Sequence, residues 1–571
     1  MPERDRPVRL VCLLLVVSVA LGSVPAVVGG SSQQAEFGAP TDRAGAQTNR
    51  AAVSPNTTQT PTTDANTSTP TESPRIVAVF PDPVADGDTG EYVVVDPGNA
   101  SNLTLSDGET TVSVPPDAPV ALSATPNATR SLVDVQVVEA NLRLSNAGER
   151  LRLRRDGEVV DRLSYEETDE GERLNATTGR WTPRGLTPRS VVETGPATAT
   201  AFVLPDAPDV PIATIRDADE RILLAGYTFT SARATDALVA AVERGVRVRV
   251  LLEGSPIGGM TTAQRDRLDR LVADGVDVRV IAGPHDRFAY HHPKYVVADD
   301  DALVLTENWK PAGTGGRDSR GWGVRVHSVA TAEELAAVFA HDADGIDAVP
   351  WRHHRRNASF VDGEAATGSY SPNFEPSRVD IAGVRVLTTP GNAGSGVRES
   401  IAAAEANLSV LVPRIDPDGP YFAALVAAAE RGVRVRVLLS NARYDAESNR
   451  AVVDRVDQLR DRGLPIEARI ATPAGRFGKV HAKGAIIDGE TVLLGSLNWN
   501  EVSASENREV VLALDSTEAA AYYGETFRAD WEAAGSGRSD GDVRVRLTLA
   551  LGALAAVVLA GFVLRRTVEF E

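Results

Sequence analysis

This sequence of 571 residues predicts a duplicated two-lobe α/β fold, with a small β-sandwich before it and one transmembrane helix after it. Three observations carry that reading. Ala237–Leu252 (ALVAAVERGVRVRVLL) and Ala424–Leu439 (ALVAAAERGVRVRVLL) agree at fifteen of sixteen positions, 187 residues apart. Between residues 75 and 194 short alternating segments recur with turn residues between them, the pattern of a sandwich. Leu547–Leu564 is a run of 18 residues without a charge.

In chain order, residues 1–30 read as a secretory signal: Arg4, Arg6 and Arg9, then an apolar run, then small residues near Pro25-Ala26 and Gly29-Gly30. Its removal would take away Cys12, the only cysteine, so disulfide frameworks, thiolate zinc clusters and CxxC redox pairs are excluded. Residues 31–74 are rich in Thr, Ser, Pro, Ala, Asn and Gln with almost no large apolar side chain. They cannot bury enough surface to fold, and read as a disordered stalk. In residues 75–194 the expected strands are Ile76–Phe80, Glu91–Val95, Asn141–Leu144, Leu151–Leu153 and Val159–Tyr165.

Each copy of the repeat is an Ala-rich helix, a glycine stop (Gly245, Gly432) and a strand in which apolar residues alternate with arginine. Another apolar strand precedes each, Arg221–Tyr227 and Asn407–Val412. Strands alternating with helices in two copies give two α/β lobes, 197–352 and 383–533, joined by a polar connector. Leu547–Leu564 follows a Gly/Ser/Asp linker and is flanked by Arg544, Arg546, Arg565 and Arg566. At 1.5 Å per residue it spans about 27 Å, enough to cross a bilayer once. With an exported N-terminus, the Arg565-Arg566 tail would be cytoplasmic and the lobes outside the cell. Eight N-x-[ST] sequons (Asn56, Asn66, Asn99, Asn102, Asn127, Asn175, Asn357, Asn407) fit an exported glycoprotein.

The composition bounds the partners. There are 59 basic against 78 acidic residues, for a net charge of −19. That balance disfavours nucleic acid, whose phosphates would be repelled over the whole surface. An acidic, arginine-rich chain with four lysines (Lys294, Lys310, Lys479, Lys483) has the composition of a halophilic protein.

Near the end of each lobe stands a second matched element. The second lobe has HAKGAIIDGETVLLGSLNW, with His481, Lys483, Asp488, Ser496 and Asn498; the first has HPKYVVADDDALVLTENW, with His292, Lys294 and Asp299. Residues two apart in a strand share a face, so each histidine points with its lysine. If Gly489-Glu490 form a two-residue hairpin loop, Lys483 lies opposite Ser496 and His481 opposite Asn498. Aligned without a gap, Glu307 takes the place of Ser496 and Trp309 that of Asn498, and Asn308 recovers the amide only through a bulge. Two of the four lysines sit in these elements, where a compact ammonium suits better than a broad guanidinium. Among the other histidines, His285, His291, His327, His341 and His353-His354 show no metal-ligand spacing, and no cofactor motif is present.

The paired H-x-K-x4-D motifs, the second followed by G-S-x-N, resemble the phospholipase D superfamily, whose signature is two such motifs in a duplicated chain. The resemblance implies a phospholipase D-like fold with one active site between the lobes and a two-step displacement at a phosphodiester. One histidine attacks phosphorus, giving a phosphohistidine; the other protonates the leaving alkoxide. By family habit His292 is the nucleophile and His481 the acid, while Lys294, Lys483, Ser496 and Asn498 stabilise charge on the phosphoryl oxygens. Asp299 and Asp488 sit at turns and are expected to support structure, and either Glu506 or Glu509 resembles the acid that orients a histidine. The implied substrate is a phospholipid head group, or another phosphodiester, reached from a membrane anchor. The alternatives are a secreted endonuclease of the same superfamily and a non-catalytic surface module. Separately, GEYVVV (90–95) with LRLSNAGERLRLRRDGEVVDRLSY (142–165) resembles the lamin-tail immunoglobulin-like domain, which implies a spacer without catalytic residues.

Overall fold

The computed structural model describes residues 73–535 apart from 84–85, 169, 187–188, 283–285 and 364. The signal segment (1–30), nearly all of the stalk (31–74), His285 and the apolar run Leu547–Leu564 lie outside the described residues. Among the described residues, no helix is long and apolar enough to cross a membrane.

The first unit holds a six-stranded sheet and a four-stranded sheet. Alternation along Gly148–Arg155 and Glu158–Glu166 sends Leu151, Leu153, Leu163 and Tyr165 inward, into one core with Val79, Val93, Val95 and Leu122. Asn141–Leu144, expected as a strand, is irregular. Leu142 and Leu144 still pack into the core, but the Leu144 N–H donates to the buried Glu91 carboxylate (3.0 Å), so a side chain replaces a ladder partner.

Each lobe is an α/β layer built on the repeat. Ala232–Glu243 and Pro420–Glu430 are its helices, closed by Gly245 (φ 93°) and Gly432 (φ 94°), left-handed positions that suit glycine. The strands that follow, Arg247–Glu253 and Arg434–Leu439, pair in parallel with Arg221–Gly226 and Asn407–Val412. An antiparallel hairpin then joins each sheet: Tyr295–Ala298 with Asp301–Leu305, and Gly484–Ile487 with Thr491–Gly495. Two boundary strands cross over. Ser377–Ile381, just before the second lobe, pairs with Ala197–Leu204 of the first, and Val192–Thr194, just before the first lobe, pairs with Gly383–Thr389 of the second.

The lobes share one hydrophobic core that includes Trp322, Val324, Leu512, Leu514 and Tyr523. Two buried ion pairs cross between them with the same logic: Arg508 to Asp342 (2.7 Å) and Arg320 to Asp530 (2.9 Å). All four side chains are fully buried. Such pairs lose in desolvation much of what they gain by attraction, so their contribution is chiefly to fix how the lobes dock.

Candidate active site

The two histidine-lysine elements meet where the lobes face each other. His292 precedes Tyr295–Ala298, and its N–H donates to the Arg508 carbonyl of the other lobe (2.9 Å). His481 does the same toward the Arg320 carbonyl (3.0 Å). Backbone bonds between lobes thus fix the chain at both histidines.

Each ring has a carboxylate from the opposite lobe. His292 Nδ1 lies 3.0 and 2.9 Å from the two oxygens of Glu509, which also accepts from Asn507 Nδ2 at 3.0 Å. Of the two acids the sequence left open, Glu509 is the one in contact with a motif histidine. Glu506 instead ends the short helix Glu501–Ser505: its carbonyl accepts from the Ala289 N–H of the other lobe, and burial with the nearby Glu501 charge raises its pKa. His481 Nδ1 lies 3.3 Å from Glu307 Oε2. Tyr227 meets the His292 ring edge-on, with centroids 4.7 Å apart, and lies 5.5 Å from Lys294 Nζ. Sequence reading had no signal for Tyr227, since it is simply the residue after a parallel strand.

Both lysines are buried, each donating to the carbonyl of its own motif's histidine: Lys294 to His292 at 2.6 Å and Lys483 to His481 at 2.7 Å. Lys483 Nζ is also 3.2 Å from both ring nitrogens of His481. Burial pulls the Lys483 pKa down to about 8 although Glu307 and Glu509 oppose it, and holds Lys294 well below its ordinary value. His292 is pushed down to about 4 by burial, against Glu509, and is neutral near pH 7. His481 is held well below its ordinary value by burial and then by Lys483, Lys294 and Lys479. Glu307 is raised to about 7, because burial outweighs Lys483, Lys479, Lys294 and Lys310. All four lysines of the chain are thus gathered around one carboxyl group, whereas the sequence drew attention to two.

The hairpin register departs from the expected one. Ile487 pairs with Thr491, so the second loop has three residues, Asp488 to Glu490; Ala298 pairs with Asp301, so the first has two. Lys483 consequently lies opposite Gly495 rather than Ser496, and His481 is not across from Asn498. The second loop adds Gly489, at φ 75° a left-handed position that suits glycine, while the loop aspartates are alike, both left-handed (Asp299 φ 51°, Asp488 φ 54°). Asp488 accepts the N–H groups of Glu405, Ala406 and Asn407 at 2.8, 2.8 and 2.7 Å. Asp299 accepts those of Asp219, Glu220 and Arg221 at 2.8, 2.9 and 2.8 Å. Both serve as turn anchors, away from the rings.

The shorter first loop shifts the alignment of the motifs by one residue. The Ser496 N–H donates to the Val510 carbonyl (2.9 Å) while the Val510 N–H donates to Ser496 Oγ (3.0 Å). Thr306 repeats the pattern with Trp322, at 3.0 and 2.9 Å. Thr306 is therefore the counterpart of Ser496, Asn308 that of Asn498 and Trp309 that of Trp499, without a bulge. Asn498 is half-buried; the Asn308 amide oxygen is buried with no hydrogen-bond partner. His291 stands at the lobe interface, its backbone bridged to Arg508 and its Nε2 3.5 Å from Asp342 of its own lobe. Among the described residues, no group of three or more His, Cys, Asp or Glu could hold a metal ion.

A family profile described as "Cardiolipin synthase, PLD-like domain" matches residues 212–343 and 397–531, one match in each lobe. Mitochondrial cardiolipin hydrolase of Xenopus tropicalis is 33% identical over 109 residues, 19% of this chain and 47% of that protein. The protein of the same description from Canis lupus familiaris is 30% identical over 176 residues, 28% of this chain and 65% of its own. The chain thus spans between about half and two thirds of these relatives' length. Among solved structures, phosphatidylserine synthase of Haemophilus influenzae aligns over 60% of this chain and 86% of its own, at 12% identity and a TM-score of 0.44.

Proposed function

The two lobes of this chain belong to the phospholipase D superfamily, and on that premise we propose that it is a phosphodiesterase that cleaves or transfers phospholipid head groups through a phosphohistidine. The observation that carries the reading is the meeting of His292 and His481, each faced by a carboxylate of the opposite lobe and a buried lysine of its own.

The asymmetry of the two rings supports different roles. Glu509 accepts the Nδ1 proton of His292, which leaves the Nε2 lone pair free, and burial keeps that ring neutral. Nε2 attacks phosphorus; the P–N bond forms as the bond to the leaving alkoxide breaks, and His481 gives the alkoxide its proton. Water or an alcohol then attacks phosphorus, returns a proton to His481 and frees His292. Burial first, and then the lysines, favour the neutral form of His481. A phosphodiester anion bound among Lys294 and Lys483 offsets that charge, so substrate itself favours the protonated acid. The same ammonium groups then stabilise the charge that builds on the phosphoryl oxygens.

A lipid substrate is supported by the names of the relatives and by the net charge of −19, which disfavours nucleic acid. A membrane anchor at Leu547–Leu564, with the lobes outside the cell, would concentrate lipid by tethering; protease shaving of intact cells that left the lobes uncut would reverse this topology. The test of function is the full-length chain in detergent and molar salt, offered cardiolipin and phosphatidylglycerol vesicles beside single-stranded DNA. Lipid turnover that is lost in both His292→Ala and His481→Ala is expected. Turnover of DNA alone would overturn the lipid reading, and near-normal activity of either variant would overturn the shared site.

A further inference from the structure

We propose that Glu307 is the positioning residue for His481, standing in for a carboxylate that the first lobe lacks at the symmetric place. The proposal deepens the reading above and rests on it for the role of His481.

The symmetry is fixed by backbone and buried charge. Arg508 and Arg320 correspond: each carbonyl accepts the N–H of the other lobe's histidine, and each guanidinium pairs with a buried aspartate of that lobe. One residue further along the strand, the second lobe has Glu509, the partner of His292. In the first lobe that next residue is Gly321. A Cβ on Gly321 would lie 2.3 Å from Glu307 Cγ and 2.6 Å from its Oε1, so the volume of the missing side chain is filled by Glu307. Gly313 clears the other side, where a Cβ would lie 2.7 Å from Glu307 Oε2.

Glu307 lies just past the end of the neighbouring strand Asp301–Leu305, one residue after Thr306, which is hydrogen-bonded to Trp322. Its counterpart in the second lobe is Leu497, an apolar residue of that lobe's core. The two lobes thus use complementary solutions: Leu497 with Glu509 in one, Glu307 with Gly321 in the other. The carboxyl group comes instead from the end of the neighbouring strand, and it still ends 3.3 Å from the Nδ1 of the opposing histidine. A buried acid at 2% exposure whose Oε1 has no hydrogen-bond partner is costly to keep for packing alone. The looser contact, against 2.9 Å for Glu509 with His292, suits a ring that must gain and lose a proton rather than hold one tautomer.

The test moves the carboxylate back. Glu307→Ala and the double variant Glu307→Ala/Gly321→Glu are made in the full chain, with Glu307→Gln as the shape-preserving control. Glu307→Ala and Glu307→Gln should lower kcat roughly 10- to 100-fold with KM changed less than about threefold. The double variant should regain at least roughly tenfold over Glu307→Ala, because a charge-assisted contact to His481 is restored. In parallel, the pH dependence of carbethoxylation of His481 is mapped by mass spectrometry without substrate. It should shift in Glu307→Ala and return toward wild type in the double variant. Unchanged His481 reactivity in Glu307→Ala and Glu307→Gln, or near-normal kcat in both, would overturn the proposal. If the wild type turned over no phosphodiester, the functional reading would fail while the carbethoxylation profile still decided the contact.

Discussion

Replacing Glu509 with glutamine keeps the shape of a fully buried side chain and removes the charge that faces His292. Two effects follow. A charge-assisted contact at 2.9 Å becomes a neutral one, a loss of about 1–2 kcal/mol, or roughly 5- to 30-fold in rate. The amide can also turn its NH2 toward Nδ1, which places the ring proton on Nε2 and removes the attacking lone pair. Together they should lower the rate of phosphoenzyme formation roughly 10- to 100-fold. KM should change little, because Glu509 is buried behind the ring rather than facing substrate. Rapid-quench measurement of covalent phosphoryl label under single-turnover conditions reads this step directly. A rate within about threefold of wild type would refute the idea that the Glu509 charge prepares His292 for attack.

Two further outcomes follow from the same geometry. Because the folded pKa of Glu307, about 7, stands above its ordinary 4.5, its contribution is fully present below pH 4.5 and is lost as pH rises through 7. Glu307→Gln removes that dependence, so the melting temperature of the variant minus that of wild type should rise between pH 5 and 8, by the equivalent of up to about 3 kcal/mol; a difference independent of pH would contradict it. Asp299→Ala and Asp488→Ala each strip three backbone N–H groups of their acceptor at a solvent-exposed turn. Each should cost about 1–2 kcal/mol in chemical denaturation while the folded fraction keeps its kcat, and a selective loss of kcat would assign them to the chemistry.

What the sequence made legible was whatever the chain states locally and twice. The helix-glycine-strand repeat is written almost letter for letter, and the His-x-Lys pairs share a face by strand period alone. The hairpin register was less accessible, because it turns on one residue: Asp488-Gly489-Glu490 against Asp299-Asp300. Both loops anchor their aspartate alike on backbone N–H groups about 80 residues away, and the second loop holds one residue more, with Gly489 left-handed; that extra residue made Glu307 look like a replacement for Ser496 when Thr306 fills that place. The histidine partners were hidden for a related reason. Glu509 and Glu307 each lie against the histidine of the other lobe, at 217 residues' separation for Glu509 and His292, so the family likeness could offer Glu509 only beside Glu506 and no local pattern points to Glu307. The crossing of Ser377–Ile381 into the first lobe's sheet is equally a matter of docking rather than of spacing.

One site built by both lobes, in which the two histidines do different work, requires a covalent intermediate on one ring only. Phospholipid labelled at its phosphorus, mixed with excess enzyme, quenched in alkali and digested, locates the covalent intermediate by mass spectrometry. Label is expected on the His292 peptide alone, present in wild type and absent from His292→Ala. Label on the His481 peptide would exchange the roles assigned to the rings, and label on both or on neither during turnover would contradict the single shared site.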